Sequence, residues 1–224
     1  MQWSAGPQSD PVQPQVMKQS VPSWAIPYTK PAQAPAAPRS PSDLGGDKVL
    51  PGGAPQDAEN AKRLGTAVHR LLEVLPNAPQ DQWGHIAQRL VEADIQAAAF
   101  QEARAVLQQP QLAYIFAPES LAEVDISAHL PELNGDPIQG SIDRLLISPT
   151  RVLAVDFKSN QIVPSEVAQV PSGLLRQMGA YAAALSQIYP HHDIETAILW
   201  TKTLELMPLP PDLVISSLAN TSPA

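Results

Sequence analysis

The chain has 224 residues, a formal net charge of −8 and no cysteine, which excludes a disulfide scaffold, a thiolate zinc site, a cysteine-ligated iron–sulfur cluster and a cysteine nucleophile. It contains no run of eighteen apolar residues and no basic-then-apolar start, so neither a membrane span nor a signal peptide is expected, and a reducing cytoplasm is the expected compartment. Residues 1–55 carry four Lys/Arg against three Asp/Glu, which leaves ten against nineteen for the remainder, so the body of the chain does not attract nucleic acid through its overall field.

Residues 1–57 hold eleven of the 25 prolines among Gln, Ala and Ser, with neither helical nor alternating periodicity. Such a segment cannot bury enough apolar surface to offset its conformational entropy, and it reads as an extended, largely disordered linker. Trp24, Ile26 and Tyr28 are its one cluster of large apolar groups.

The pattern changes at Ala58. Leu64, Val68, Leu71, Leu72 and Leu75 fall on one face of a helix that Pro76 ends, and Gly65 and His69 lie one turn apart beside that stripe. A second helix is predicted over Gln82–Leu107, with Ile86, Leu90, Ala93, Ala97 and Phe100 at helical spacing; its alanine content marks it as a packing element without chemistry. Strict alternation of Ala122, Val124, Ile126, Ala128 and Leu130 with Glu123, Asp125, Ser127 and His129 then predicts a strand, and Asn134-Gly135-Asp136 a turn.

Gly140 to Lys158 holds two further β-prone runs joined at Ser148-Pro149-Thr150, short enough for an antiparallel pair. Successive strand side chains point to opposite faces, so Asp156 and Lys158 emerge side by side. The same parity argument puts Ile138, Gly140 and Ile142 on one face and Gln139, Ser141 and Asp143 on the other, with Asp143 near the end of its strand. Beyond a loop with Pro164 and Pro171, Leu174, Leu175, Met178, Ala182, Leu185 and Ile188 mark the buried face of a helix that also carries Gln177 and Tyr181 one turn apart. Ile194–Thr201 reads as a buried strand able to pair in parallel, Leu204–Leu209 as an edge strand, and Asp212–Leu218 as a short apolar helix.

These elements predict an α/β (α+β) fold with a mixed central sheet flanked by helices, divided into a linker over 1–57, a domain over 58–210 and a tail over 211–224. On such a frame a histidine, two aspartates and a lysine can converge. Carboxylates gathered on one wall are costly without a cation, and His69, Asp143 and Asp156 would suit Mg²⁺ or Mn²⁺, with Lys158 beside them to orient water and meet transition-state charge.

The set Gly65-x-x-x-His69-Arg70-Leu71-Leu72, Gly140-x-Ile142-Asp143-Arg144, Asp156-Phe157-Lys158 and Gln177-x-x-x-Tyr181 resembles the RecB-type nuclease domain of the PD-(D/E)XK superfamily, whose core is restriction-endonuclease-like. It looks most like the C-terminal nuclease domain of the AddA helicase–nuclease of double-strand break repair, and Trp24 and the Pro41-Ser42 pair resemble the segment before that domain. The resemblance implies a Mg²⁺- or Mn²⁺-dependent deoxyribonuclease with His69, Asp143, Asp156 and the Phe157 backbone carbonyl as metal ligands and Lys158, Asp156 and Asp143 as catalytic residues. Gln177, Tyr181, Glu123 and Arg144 take supporting or DNA-binding parts, and the implied partners are a DNA strand end, an AddA-type helicase region and an AddB-like subunit. There are departures: no G-x-x-x-x-G-K-[ST] phosphate loop is present, so the helicase motor is missing, and the lack of cysteine argues against the cluster-bearing nuclease domains of AddB and Cas4-like proteins. A non-catalytic domain docking on a helicase is the competing expectation. A stand-alone restriction-like endonuclease would need a sequence-reading insert rich in Arg, Asn or Gln, which the chain does not show.

Overall fold

A computed structural model describes residues 37–49 and 58–221. The Trp24, Ile26 and Tyr28 cluster lies outside the described residues. The elements are α1 (Ala58–Val74), α2 (Trp83–Leu90), α3 (Ala93–Leu107), β1 (Leu121–His129), β2 (Pro137–Ile147), β3 (Arg151–Lys158), α4 (Ser172–Ile188), β4 (Asp193–Trp200), β5 (Glu205–Leu209) and α5 (Pro211–Ala219).

The sheet runs β1-β2-β3-β4-β5 in sequence order, as expected for a meander followed by a crossover. β1, β2 and β3 pair antiparallel, α4 carries the chain across to β4 parallel to β3, and β5 returns antiparallel. β3 is buried on both faces. Val152 and Ala154 join α4, α5 and Leu44 in one apolar layer, while Leu153, Val155 and Phe157 join α1, α2 and α3 in the other. A central strand covered on both sides explains why β3 is a continuous apolar run except at Asp156 and Lys158.

Two features differ from the sequence expectations. The helix predicted over Gln82–Leu107 is two helices, because the chain turns through extended conformations at Val91 (φ −120°, ψ 140°) and Glu92 (φ −60°, ψ 140°). Val91 enters the core at this corner, and Arg63 of α1 pins the turn by pairing with Glu92 and, at 2.9 Å, with Asp94 in the first turn of α3. The second feature is residues 37–49, within the segment read as a linker. Arg39 bonds to the β2 backbone on both sides of Ile138, Pro41 lies against Gly140, and Leu44, 2% exposed, joins the core beside α4. Composition masked this strap because its anchors are single residues set among Pro, Ser and Gly. In the C-terminal segment read as a tail, Val214 and Leu218 of α5 are likewise fully buried, and Gly179 of α4 lets the two helices touch: a Cβ there would run into the Val214 carbonyl and come within 2.9 Å of the Leu218 Cβ.

Leu44→Ala is therefore expected to cost about 2–5 kcal/mol of stability, the usual range for emptying a buried leucine site. Urea denaturation measures it; an unchanged midpoint would mean that the strap does not dock.

Candidate active site

The site forms where β2 and β3 part. Their ladder runs from Ile147 opposite Val152 to Arg144 opposite Val155 and then stops, so Asp143 and Asp156, next in register, are free of it. In place of a backbone partner, the Phe157 N–H donates to Asp143 Oδ2 at 2.5 Å. On the other side of β2, Glu123 of β1 falls opposite Asp143, between the paired rungs Ala122–Arg144 and Val124–Ile142, with φ at 49°. A left-handed glutamate inside a strand costs on the order of 1–3 kcal/mol and occurs where neighbouring contacts impose it.

The kink breaks the alternation of β2. Ile142 and Leu145, of opposite parity, both belong to the α4 layer, whereas Arg144 turns towards α1. Asp143, on the face opposite Ile142, meets His69 of α1, whose Nδ1 lies 3.2 Å from Asp143 Oδ1. The imidazole packs edge-on against Phe157 at 5.6 Å between ring centroids, and Phe157 in turn packs on Phe116. Gly65 of α1 lies close by: a Cβ there would come 2.7 Å from the Ser159 hydroxyl, next to Lys158, and that hydroxyl would have to turn aside.

Ligand atoms of His69, Glu123 and Asp143 all lie within 4.8 Å of one another. Two carboxylate oxygens and one imidazole nitrogen at that spacing suit a divalent ion such as Mg²⁺ or Mn²⁺. The electrostatics point the same way. Burial and the neighbouring Asp143 raise the Glu123 pKa above the usual carboxylate range. Burial works to lower the pKa of His69, but the hydrogen bond and charge of Asp143, with the charge of Asp156, outweigh it and the net shift is upward. The His69 shift is the response of a site with surplus negative charge, while the Glu123 shift owes most to burial and less to that charge.

Asp156 stands one step from this trio. It is buried, and burial pushes its carboxyl pKa up, against the pull of Lys158. Lys158 Nζ lies 2.6 Å from Asp156 Oδ2, as shared strand parity requires. Gln177 of α4 holds the pair: its Nε2 donates to Asp156 Oδ1 at 2.7 Å and to the Tyr181 hydroxyl at 3.2 Å, while its Oε1 accepts from Lys158 Nζ at 3.4 Å. The Tyr181 hydroxyl donates onward to the Ser141 carbonyl at 2.6 Å, so it braces β2 from inside; burial and the charge of Asp156 raise its pKa.

A family model described as the PD-(D/E)XK nuclease superfamily matches residues 45–206, well over half of the chain. The chain belongs to the PD-(D/E)XK nuclease superfamily. Among curated proteins none matches it. A similar solved structure, from Eubacterium rectale and described as a "Putative exonuclease", shares 12% identity at a TM-score of 0.47, with 69% of this chain and 62% of that one covered, so the chain spans less than two thirds of that protein's length.

Within this PD-(D/E)XK domain the sequence-derived residues separate into two clusters and two single residues, Phe157 and Arg144. His69, Asp143 and Glu123 form the donor cluster, with Glu123 inside it instead of in a supporting place. Asp156, Lys158, Gln177 and Tyr181 form a second network, in which the Asp156 carboxylate is engaged by Lys158 and Gln177. Phe157 meets the site through its N–H and its ring. Arg144 is 2% exposed and turned inward: it donates to the Leu72 carbonyl at 2.7 Å and lies over the Phe116 ring at 5.1 Å, tying β2 to α1. Ser141 was missed. Its hydroxyl donates to Glu123 Oε2 at 3.2 Å and its carbonyl receives Tyr181, and shared parity with Asp143 was the signal that could have found it.

The raised Glu123 pKa carries a pH prediction. A group whose folded pKa lies above its unfolded value stabilises below that unfolded value, about 4.3 for glutamate, and loses the contribution as pH rises through the folded one. In chelator-treated protein, Glu123→Gln is expected to raise the melting temperature at pH 7, with the gain shrinking towards pH 4, where the parent residue is itself protonated. A variant less stable than the parent at pH 7 would contradict the charge-crowding account.

Proposed function

We propose that this domain is a Mg²⁺- or Mn²⁺-dependent deoxyribonuclease, an exonuclease that hydrolyses phosphodiester bonds at a DNA strand end. The observation that carries the reading is the convergence of the His69, Glu123 and Asp143 donors with the Asp156–Lys158 pair where β2 and β3 part. Membership of the superfamily supports it.

His69, Glu123 and Asp143 would hold the divalent ion, which when bound polarises a phosphoryl oxygen and lowers the pKa of a water molecule. The chain's own residues do the rest. Asp156 and Gln177 keep the Lys158 ammonium in one place, where it orients the attacking water and meets the extra negative charge that develops as the water oxygen bonds to phosphorus and the ester P–O bond breaks. Phe157 and Asp143 hold each other through the N–H to carboxylate bond, which keeps one Asp143 oxygen committed to the scaffold and leaves Oδ1 towards His69. No covalent enzyme intermediate is required.

The setting we infer is the nuclease part of an AddA-type helicase–nuclease in double-strand break repair, acting in the cytoplasm beside an AddB-like subunit. The ordered motifs from Gly65 to Tyr181 and the Pro41-Ser42 pair support that setting. The acidic balance of the chain fits it too, since a domain that repels DNA needs a motor to deliver the strand. No helix among the described residues is long and apolar enough to cross a membrane.

The test is cleavage of linear single-stranded DNA with Mn²⁺ or Mg²⁺, comparing the parent with Asp143→Ala and Lys158→Ala. Each substitution is expected to lower the rate on the order of 100- to 1,000-fold, the usual effect of deleting a group aimed at transition-state charge. Equal rates in parent and variants would overturn the reading in favour of a non-catalytic docking domain.

A further inference from the structure

Glu102 of α3 is a buried carboxylate that takes no part in the site described above. It is 8% exposed, its Oε1 accepts the Thr201 hydroxyl at 2.5 Å, and its Oε2 pairs with Lys202 Nζ at 2.6 Å. A carboxylate on an alanine-rich helix facing a sheet is expensive to bury, and its pairing with Lys202 offsets the desolvation only in part. What lies next to it accounts for its place. Thr201, 1% exposed, follows β4 directly; its N–H donates to the Lys158 carbonyl at 3.0 Å, and its Oγ1 stands 3.2 Å from the same oxygen. The hydroxyl has one proton, which the Glu102 carboxylate takes, so the Lys158 carbonyl is held by the backbone N–H while Glu102 fixes the residue that holds it.

The β3–β4 ladder ends at Lys158 opposite Trp200, and this bond is the first one beyond it. Past Lys158 the chain leaves the sheet as a loop, and the hydroxyl of the next residue, Ser159, lies against Gly65. A lysine at a strand terminus has its backbone dihedrals and four side-chain rotors to settle, and its ammonium must reach both Asp156 Oδ2 and Gln177 Oε1.

We propose that Glu102 and Thr201 are positioning residues for Lys158: from the α3 side they clamp the carbonyl of the last β3 residue, so that its ammonium stays on the α4 side against Asp156 and Gln177. The catalytic consequence rests on the nuclease reading; the clamp itself does not.

The experiment uses the full chain as parent, Glu102→Ala, Thr201→Val and Thr201→Ser, with folding checked by thermal unfolding. Competitive acetylation with acetic anhydride, read by mass spectrometry, compares Lys158 with the exposed Lys62. Both Glu102→Ala and Thr201→Val are expected to raise the relative labelling of Lys158 several-fold, as its ammonium leaves the shelter of Asp156. In Mn²⁺-dependent DNA cleavage they are expected to lower kcat on the order of 10- to 100-fold, the scale of a small misplacement, with KM unchanged. Thr201→Ser, which keeps the hydroxyl, should rescue both readouts. Parent-level labelling of Lys158 in a folded Thr201→Val variant overturns the clamp, and that near-isosteric variant decides the matter if Glu102→Ala does not fold. Should the parent cleave no DNA, the nuclease reading falls while the labelling ratio still decides the clamp.

Discussion

The structure turns on an excess of negative charge held where two strands separate. Asp143 and Asp156, both buried, come together with His69, the exposed Glu123 and a single lysine, and burial first, then the neighbouring charge of Asp143, shifts the pKa values of Glu123 and Asp156 upward. Such a cluster is poor for stability and well suited to holding a cation. The surrounding contacts keep these side chains from relaxing apart. Glu123 is kinked into a left-handed conformation, Asp143 is tied to the Phe157 backbone, and His69 is wedged between Asp143 and the Phe157 ring.

The two helical layers divide the work. The α1–α3 layer supplies His69 and, through Arg144 bonded to the Leu72 carbonyl, fixes β2 against α1. The α4 layer supplies Gln177, whose amide makes three contacts at once, with Asp156, Lys158 and Tyr181. An amide serves there because it donates from one end and accepts at the other, matching a carboxylate and an ammonium side by side; an acid or a lysine in its place would repel one of them. The sheet between the layers carries both aspartates, so the site stays intact only while both layers stay packed on β3.

Much of this was legible in the sequence. The order of strands and the parallel return through α4 followed from period-two alternation and a helical apolar face, and the adjacency of Asp156 and Lys158 followed from parity alone. The rest depended on things that residue types do not announce. Alternation set Asp143 on the face opposite Ile142, but it could not show that Asp143 sits well inside an eleven-residue strand beside the kinked Glu123, or that parity shifts after it, so that Leu145 joins Ile142 in the α4 layer. Helical spacing ran through Val91 because it cannot register a corner at which the backbone turns and Val91 enters the core. Leu44 is a lone anchor in a proline-rich stretch, and Glu102 is one acid in an alanine-rich helix. What each does is decided by partners more than ninety residues away in sequence.

We propose that His69, Glu123 and Asp143 together hold one divalent ion, and anomalous diffraction from crystals grown with Mn²⁺ is the measurement that decides it. The expected result is an anomalous peak within bonding distance of all three side chains, beside the Asp156–Lys158 pair; crystals at saturating Mn²⁺ with no peak there, or with a peak that leaves out His69 and Glu123, would overturn the assignment.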